Sequence, residues 1–456
     1  MGLVSREIGG WGRYPVRSCR LSRPEQVSHA ARLISESSSP SYLGRGLGRA
    51  YGDAALNSRG TVVLSERLNR FLSFDSRTGL LRCEAGVSLS EILRVFLPRG
   101  WFLPVTPGTR LATVGGCVAC DVHGKNHHLE GSLSDHVRSI TLLGADGRAT
   151  PCSRETIPEL FWATVGGMGL TGFILDCEIQ LKSGETAYID VEYHRTQDLD
   201  ETMELIDRED ERFVYSVAWM DCLARGKSLG RSVLMRGNHC RLEQLEDSHR
   251  EAPLRVSDSS LAGIPFDFPA LLLNRGTIGV MNSLYYRRFA AGRSRRTVHY
   301  EPYFYPLDRI QNWNRAYGKK GFVQYQCAFP LEKSAVGIEL LLRGLKASRM
   351  GSFLVLLKRF GQQGDGLLSF PFEGYTISLD FPVNDRLEGF LKQLDSIVLA
   401  HQGRVYLAKD ARLSPSTFRA MYPGWQEWLR IKRDVDPLNR FDSDLARRLG
   451  LTGGEN

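Results

Sequence analysis

The sequence predicts an α+β fold in which strands and helices do not alternate as regular βαβ units. Short strand-like runs, such as Thr61–Leu64, Leu80–Glu84 and Phe173–Leu181, are separated by turn residues at short intervals. Glycine-rich segments interrupt the same part of the chain. At 456 residues, 42% of them hydrophobic, the chain is too long for one core and suits two domains.

The first part of the chain opens with a helix predicted within residues 20–40. Ile140–Leu143 follows as a strand, an Asp-Gly hairpin turn stands at 146–147, and Glu159–Thr164 predicts a short helix. Gly167–Gly172 then satisfies G-x-G-x-x-G. A Rossmann fold requires that pattern to follow a strand and open a helix, whereas here it follows a helix and opens a strand. We therefore expect no Rossmann fold.

The second part, from about residue 188, predicts a sheet covered by helices. Residues 223–300 within it are predicted to be irregular. The regular elements, in chain order, are strand Tyr188–Tyr193, helix Leu199–Arg208, strand Phe213–Met220, strand Val323–Phe329, helix Leu331–Ala347, strand Phe353–Phe360 and strand Tyr375–Phe381.

Phe268–Tyr300 contains six arginines and no Asp or Glu, and apolar clusters alternate with the arginines. Two interpretations stay open. The segment is either a solvated basic loop lying on the second domain, or an interfacial segment that inserts apolar groups among lipids while its arginines meet anionic headgroups.

Composition excludes several classes of protein. The net charge of +8 favours anionic partners, but no zinc-finger spacing or basic-region heptad indicates nucleic acid. Nine scattered cysteines do not suggest a disulfide framework, and we interpret Cys117 and Cys120 as packing residues, with no metal site. We see no secretory signal and no run near the roughly 18 apolar residues of a membrane span. We expect a soluble or peripheral protein.

Three glycine-rich segments predict a cofactor site: Arg45–Asp53, Pro107–His128 and Ala163–Gly172. Glycine lets the backbone approach a ligand closely and aim N–H groups at a pyrophosphate. The second segment ends in HGKNHH, whose imidazoles and ammonium can handle a second anion or a proton in transit. Together the segments predict a large phosphorylated cofactor.

These segments, with WNRAYG, QYQ, YLAKDAR and the terminal DPLNRFDSDLARRL, resemble the decaprenylphosphoryl-β-D-ribose 2′-oxidase family over nearly the whole chain. The resemblance implies a vanillyl-alcohol-oxidase-type (PCMH) flavoprotein with non-covalent FAD. It implies an FAD-binding part over 1–187, a substrate-binding part over 188–403 with an irregular basic loop at about 255–300, and a return to the FAD part over 404–456.

The implied reaction oxidises the 2′-hydroxyl of a polyprenyl-phosphoryl ribofuranose to the 2′-keto sugar, the first half of epimerisation to the arabinose donor for cell-wall arabinan. A short-chain-type reductase would complete the epimerisation, and a quinone-like carrier would take the electrons. The expected location is the cytoplasmic side or periphery of the cell membrane. Two alternatives stay open: an FAD-dependent oxidase of a free aldose or aldonolactone, and a non-catalytic flavin- or lipid-binding protein.

The resemblance also assigns site residues. Arg45–Asp53 would be the pyrophosphate loop, and Gly167 and Gly169 would line the adenine or ribityl side. The cofactor contacts are Arg45, Gly46, Leu47, Gly48, Arg49, Tyr51, Gly52, Asp53, Pro107, Gly108, Thr109, Thr113, Gly115, Gly116, Cys120, Val122, His123, Gly124, Asn126, Gly167, Gly169, Gly172 and Tyr406.

Oxidising a secondary alcohol with a flavin requires hydride transfer and removal of the hydroxyl proton. Lys409 matches the family lysine that orients the hydroxyl and stabilises developing charge. His123 would relay a proton or shape the pocket floor, and Tyr51 resembles a family tyrosine beside the flavin ring. The substrate contacts are Lys125, Trp219, Gln324, Gln326, Lys358, Phe360, Thr376, Ser378 and Lys409.

Two positions depart from the family pattern. Ser378 stands where the best-known relatives carry a cysteine that nitroaromatic inhibitors modify covalently. A serine there should keep activity while removing thiolate nucleophilicity. Thr376 replaces a nearby family asparagine, so we expect altered hydrogen bonding in the pocket.

Overall fold

The computed structural model describes residues 3–36, 38–257, 263–269, 274–348 and 350–453. The strands of the N-terminal part are β1 (Val4–Gly9), β2 (Val16–Ser22), β3 (Tyr42–Arg45), β4 (Thr61–Leu64), β5 (Phe71–Asp75), β6 (Leu80–Glu84), β7 (Trp101–Phe102), β8 (Val137–Leu143), β9 (Ala149–Ser153), β10 (Phe173–Gln180) and β11 (Lys182–Ser183). Its helices are α1 (Val27–Glu36), α2 (Leu89–Phe96), α3 (Val114–Ala119), α4 (His127–Glu130) and α5 (Pro158–Thr164).

The first sheet has the order β1-β2-β4-β3. β1 and β2 form an antiparallel pair, whereas β2 and β3 each run parallel to β4. Helix α1 buries Ala30, Leu33 and Ile34 against this sheet. The helix predicted within 20–40 and the strand Thr61–Leu64 are confirmed.

The second sheet is antiparallel, with the order β5-β6-β10-β8-β9. Helix α3 packs on β10, with Cys117 and Val118 in the same core as Ile174. The residues that match G-x-G-x-x-G lie between α5 and β10, so the predicted helix-to-strand context is confirmed. This position is incompatible with a Rossmann fingerprint.

The C-terminal part contains one large sheet. Its strands are β12 (Tyr188–Thr196), β13 (Tyr215–Met220), β14 (Ser232–His239), β15 (Gly292–His299), β16 (Phe322–Pro330), β17 (Val355–Phe360), β18 (Gly374–Pro382) and β19 (Arg404–Val405). The helices before β19 are α6 (Leu199–Glu209), α7 (Asp247–Arg250), α8 (Arg275–Arg287), α9 (Tyr300–Phe304), α10 (Leu331–Ala347) and α11 (Leu387–Ala400).

This sheet is antiparallel throughout, with the order β15-β12-β14-β13-β17-β18-β16-β19. Helices α6, α10 and α11 pack on it and bury apolar side chains such as Ile206, Ile338 and Leu394. Successive side chains of a strand point to opposite faces of the sheet. The face that these helices do not cover is therefore available to a ligand. The α+β fold with helices on an antiparallel sheet is confirmed.

The prediction that residues 223–300 are irregular was wrong for much of the described part. It contains β14, α8 and β15, and β15 pairs with β12 along its whole length. β15 lies at the sheet edge, where Arg295 pairs with Asp190 and Arg293 with Glu209. Such a strand has no apolar alternation to reveal it. Part of the apolar cluster predicted at 268–273 lies outside the described residues.

Beyond β19, the chain forms α12 (Pro415–Met421), α13 (Trp425–Val435) and α14 (Asp444–Leu449). These residues contact the N-terminal part: Trp428 Nε1 donates to the Ala163 carbonyl at 2.8 Å, and Phe441 bridges to Tyr42. The contacts support a C-terminal return, and the division at residues 187 and 403 stays a prediction. None of the helices described is long and apolar enough to cross a membrane.

Candidate functional site

A cavity of about 790 Å³ lies between the glycine-rich loops and the large sheet. Most of the predicted site residues line it. From the cofactor set these are Arg45, Gly46, Leu47, Gly48, Arg49, Tyr51, Pro107, Gly108, Thr109, Thr113, Gly115, Gly116, Cys120, Val122, His123, Gly124, Gly169, Gly172 and Tyr406. From the substrate set these are Lys125, Trp219, Gln324, Gln326, Lys358, Ser378 and Lys409.

The loop after β3 forms one wall of the cavity with its backbone. The N–H groups of residues 47–50 find no acceptor within the described chain. Arg45 holds the loop in place by donating to the carbonyls of Gly9 at 2.7 Å and Ala55 at 3.0 Å. Gly48 has a φ of 66°, which favours glycine. The loop is therefore a cradle of free N–H groups that suits a phosphate.

The second glycine segment closes this cradle. Helix α3 begins after Thr113, whose Oγ1 accepts the N–H of Gly116 at 3.3 Å. A Cβ on Gly46 would lie 2.1 Å from that Oγ1, so the two loops can meet only because Gly46 has no side chain. At Gly108 an added Cβ would meet nothing within 4 Å, so the cavity is open there.

Lys409, in the loop after β19, provides a buried cation on the cavity wall. Its Nζ stands 3.7 Å from the centre of the Tyr51 ring. Burial lowers the pKa of Lys409 to about 7, with the Asp380 carboxylate opposing the shift and the Lys358 cation adding to it. A substantial fraction of this amine is therefore neutral near pH 7 and can accept a proton.

Asp380 on β18 organises the surroundings of Lys409, and the sequence analysis missed it. The carboxylate accepts hydrogen bonds from Tyr317 Oη at 3.0 Å and from Gln324 Nε2 at 2.6 Å. Burial raises the pKa of Asp380 to about 6. An acidic residue inside the strand segment ISLDF, 377–381, is the signal that could have identified it.

His123 lies on the same wall. Its Nε2 is 2.9 Å from Gln326 Nε2, and its ring packs beside Phe360 and Tyr406. Burial, followed by the charge of Lys358, lowers the pKa of His123 well below its ordinary value. The ring is therefore a neutral hydrogen-bonding group, and both predicted roles, relaying a proton and shaping the pocket floor, stay predictions.

Two further lysines face the cavity. Lys125 Nζ donates to the Tyr303 carbonyl and lies 4.1 Å from the centre of the Tyr303 ring. Burial lowers the pKa of Lys125 to about 7 and that of Lys358 to about 8. No hydrogen bond or ion pair of the Lys358 side chain occurs among the residues described. Lys358 is therefore available to an anionic ligand.

The sheet wall changes from polar to apolar along its length. Ser378 pairs in register with Gln326 on one side and Leu356 on the other. Leu356 in turn pairs with Trp219 on β13. The chain therefore arranges a polar end beside Lys358 and a trough of apolar side chains leading away from it. Other apolar residues of the trough are Val217, Met235, Tyr285, Phe289 and Leu354.

Arginines stand beside the apolar trough. Arg288 and Arg296 line the cavity, and neither side chain has a hydrogen bond or ion pair within the described part of the chain. The adjacent helix α8 exposes Val280 (61%), Met281 (46%) and Leu284 (65%) to solvent. Apolar and cationic groups thus adjoin at one side of the site.

Six predicted contacts do not lie on the cavity wall: Gly52, Asp53, Asn126, Gly167, Phe360 and Thr376. Asp53 is paired with Arg448 at 2.8 Å. Asn126 Nδ2 donates to the Pro104 carbonyl at 2.7 Å. These interactions help to hold the loops, and direct contact of Asp53 and Asn126 with the cofactor stays a prediction.

The remaining four residues also contact neighbouring parts of the chain closely. A Cβ on Gly52 would lie 1.7 Å from the Asp410 carbonyl oxygen, and one on Gly167 would lie 2.1 Å from that of Ala163. Phe360 is fully buried with its ring 4.8 Å from the His123 ring. The Thr376 hydroxyl donates to a main-chain carbonyl. Direct contact of these four residues with a ligand stays a prediction.

The cysteines carry no sign of redox or metal chemistry. All nine are free, and burial raises the pKa of the Cys117 thiol above its ordinary value and that of Cys120 to about 12. Both thiols are therefore protonated, as expected of packing residues. In the ranges that the structure describes, no group of three His, Cys, Asp or Glu could hold a metal ion.

Comparison with known proteins agrees with this geometry. Residues 18–153 match the FAD binding domain family, and residues 369–449 match the D-arabinono-1,4-lactone oxidase family. The chain is 41% identical over 455 residues to decaprenylphosphoryl-β-D-ribose oxidase of Mycolicibacterium smegmatis, covering 98% of each chain. It is 36% identical to an uncharacterised protein of Streptomyces coelicolor, covering 80% of this chain and 100% of that protein.

A more distant likeness is limited to part of the chain: 29% identity over 165 residues to D-lactate dehydrogenase of Archaeoglobus fulgidus, 35% of this chain and 37% of that one. The residues present fit FAD, because free N–H groups at 47–50 can meet a pyrophosphate and His123 Nδ1 is a buried atom without a partner in the described chain. The chain belongs to the family of FAD-dependent decaprenylphosphoryl-β-D-ribose oxidases.

Proposed function

We propose that the protein oxidises the 2′-hydroxyl of a polyprenyl-phosphoryl-β-D-ribofuranose to the 2′-keto sugar, with non-covalently bound FAD. One observation carries the proposal: a single cavity joins a cradle of free N–H groups, a buried lysine with a lowered pKa and an apolar trough. The phosphorylated cofactor, the reacting hydroxyl and the lipid would each have a matching surface in this cavity. The family relationship supports the same substrate class.

FAD supplies the ring that accepts the hydride. The loop of residues 46–50, with Gly108 and Thr113, would hold its pyrophosphate through backbone N–H groups. Tyr51 lies between this loop and Lys409, so it would line the ring. Arg49 closes the side of the loop, with its guanidinium 4.0 Å from the centre of the Trp11 ring.

Lys409 would orient the 2′-hydroxyl and accept its proton. With a pKa of about 7 the amine is basic enough to take the proton and neutral often enough to do so. Asp380 holds Gln324 by a 2.6 Å hydrogen bond and favours the charged lysine that results. Burial keeps water from competing for these hydrogen bonds.

The substrate phosphate would meet Lys358, whose side chain is buried and available. A charge-assisted hydrogen bond of this kind contributes about 1.5–3 kcal/mol. The sugar would then lie at the polar end of the sheet wall, between Gln326 and Lys409. The lipid would follow the trough past Leu356 and Trp219.

Contact with a membrane surface would let the lipid chain enter this trough. Helix α8 exposes Val280, Met281 and Leu284 beside Arg288, and such a face suits an anionic bilayer. The location proposed for the protein is the cytoplasmic side or the periphery of the cell membrane. From the family resemblance, the product would pass to a short-chain-type reductase and the electrons to a quinone-like carrier.

The match of residues 369–449 to D-arabinono-1,4-lactone oxidase favours one alternative, the oxidation of a free aldonolactone. The apolar trough opposes it, since a small soluble sugar needs no such surface. A non-catalytic flavin- or lipid-binding protein is opposed by the buried Lys409 at the Tyr51 ring.

Anaerobic mixing separates these functions. The yellow holoenzyme is mixed in turn with farnesyl-phosphoryl ribose, free ribose and an aldonolactone, and the flavin absorbance is followed. We expect bleaching by farnesyl-phosphoryl ribose alone. Bleaching by the lactone alone would establish the alternative enzyme, and no bleaching by any of the three would favour the binding protein. Acid precipitation should release all FAD into the supernatant if it is held non-covalently.

A further inference from the structure

Thr376, Gln326 and His123 form a chain of hydrogen bonds behind the cavity wall. The Thr376 hydroxyl donates to the Cys327 carbonyl at 2.9 Å. Gln326 Nε2 lies 3.2 Å from Thr376 Oγ1 and 2.9 Å from His123 Nε2. All three side chains are buried, so no solvent competes for these bonds.

The direction of each bond follows from the donors and acceptors. The Cys327 carbonyl can only accept, so the single Thr376 proton is directed to it, and Oγ1 then presents lone pairs to Gln326. The amide nitrogen of Gln326 has two protons, one for Thr376 and one for His123. His123 Nε2 must therefore accept, and a neutral imidazole that accepts at Nε2 carries its proton on Nδ1.

His123 Nδ1 is itself buried and has no hydrogen-bond partner among the described residues. His123 lines the cavity on the side where Lys409 and Gln326 also lie. A buried N–H without an acceptor destabilises the structure unless a ligand supplies the acceptor. The free donor thus indicates an oxygen of the bound flavin or of the sugar.

We propose that Thr376, acting through Gln326, is a positioning residue that fixes His123 as the Nδ1–H tautomer and so makes it a hydrogen-bond donor to the ligand in the cavity. The kinetic consequence rests on the proposed function, whereas the tautomer belongs to the resting holoenzyme.

Nitrogen-15 NMR of histidine-labelled holoenzyme tests the tautomer directly, with the His123 signals assigned by their loss in His123→Gln. We expect a protonated Nδ1 and an unprotonated Nε2 in the wild type. Thr376→Ser should keep this state, and Thr376→Val should give a mixture of tautomers. A wild-type His123 protonated at Nε2, or at both nitrogens, would overturn the proposal.

Gln326→Glu provides a second variant if Thr376→Val does not fold. A carboxylate in place of the amide can only accept, so it should move the His123 proton to Nε2 or add a second proton. An unchanged tautomer in a folded Gln326→Glu holoenzyme would contradict the proposal that Gln326 fixes the tautomer of His123.

Kinetic measurements show whether His123 Nδ1–H donates to an oxygen of the sugar or to one of the flavin. If Nδ1–H donates to the sugar, Thr376→Val should lower the anaerobic flavin-reduction rate about fivefold to tenfold. If it donates to the flavin, the same variant should lower the affinity for FAD by the same factor. Thr376→Ser keeps a hydroxyl group, so it should cause neither the lower rate nor the lower affinity. The control is Thr186→Val, since Thr186 is also buried and donates to a cysteine carbonyl, that of Cys240, at 2.8 Å. Equal effects of both valine variants would make Thr376 merely structural.

Discussion

The loop wall and the sheet wall of the cavity hold ligands by different means. In the loop wall the donors are backbone N–H groups at 47–50, and their access depends on the missing side chain of Gly46. In the sheet wall and beside it the polar groups are buried side chains with shifted pKa values, such as Lys358 and Lys409. The first wall should therefore be sensitive to added atoms, and the second to altered charge or polarity.

Removing the amine of Lys409 should have the largest effect. Lys409→Ala should lower the anaerobic flavin-reduction rate about 10²–10⁴-fold, because the hydroxyl proton loses its proposed acceptor. FAD content, measured from the ratio of flavin to protein absorbance, should stay at the wild-type level, since the loop wall is intact. A wild-type rate in this variant would exclude Lys409 from catalysis.

Removing the charge of Lys358 should affect the substrate and leave the cofactor. Lys358→Met should lower kcat/KM for farnesyl-phosphoryl ribose about 10–150-fold, the equivalent of about 1.5–3 kcal/mol. FAD affinity should not change. Lys333→Met is the matched control, because Lys333 is an exposed residue of α10. Equal losses in both variants would argue against a phosphate contact.

Adding one methyl group should break the loop wall. In Gly46→Ala the new Cβ would lie 2.1 Å from Thr113 Oγ1, and overpacking of this kind costs about 1–3 kcal/mol. FAD affinity, measured by fluorescence titration of the apoprotein, should fall about 5–150-fold. In the control Gly389→Ala, on α11, an added Cβ meets nothing within 4 Å, and affinity should be unchanged.

The rate should also depend on pH through Lys409. In the proposed mechanism the neutral amine accepts the proton. Because its pKa is about 7, the flavin-reduction rate should rise with pH and level off above 7. Below that pKa the rate should fall about tenfold for each pH unit. This fall in rate at low pH should be absent from Lys409→Ala. A flat profile in the wild type would count against this assignment.

The smallest effect is expected outside the cavity, at helix α8, the proposed site of membrane contact. Leu284→Ser should weaken sedimentation with anionic vesicles about fivefold, since burial of a leucine side chain contributes on the order of 1 kcal/mol or more. Leu438→Ser is the control, because Leu438 is 78% exposed and lies beyond α13. Undiminished binding of the α8 variant would place the membrane contact elsewhere.

The two walls also differ in how far sequence predicts them. The glycine loops and strands such as Thr61–Leu64 were predicted because their signals are local: turn residues, periodicity and closely spaced glycines. The sheet wall combines residues far apart in sequence, such as Trp219, Leu356 and Gln326, whose neighbours depend on strand register. Only the family resemblance indicated those positions.

Other features escaped prediction for identifiable reasons. Strand β15 carries paired arginines at a sheet edge and lacks alternation, so it was taken as irregular. Asp380 was missed because its role depends on Tyr317 and Gln324, which reach it from other segments. The predicted contacts Asp53 and Thr376 lie off the cavity wall, and motif matching cannot tell the cavity wall from the layer behind it.

A crystal structure of the holoenzyme with a non-reacting 2′-fluoro analogue of farnesyl-phosphoryl ribose tests the central claim most directly. The claim is that both walls serve one site. We predict C2′ within about 3.5 Å of the flavin N5, the distance of a reactive pair, and Lys409 as the cation nearest the 2′ position. The phosphate should contact Lys358, with the lipid along Leu356 and Trp219. A sugar bound away from the flavin, or a lipid outside the trough, would contradict the account.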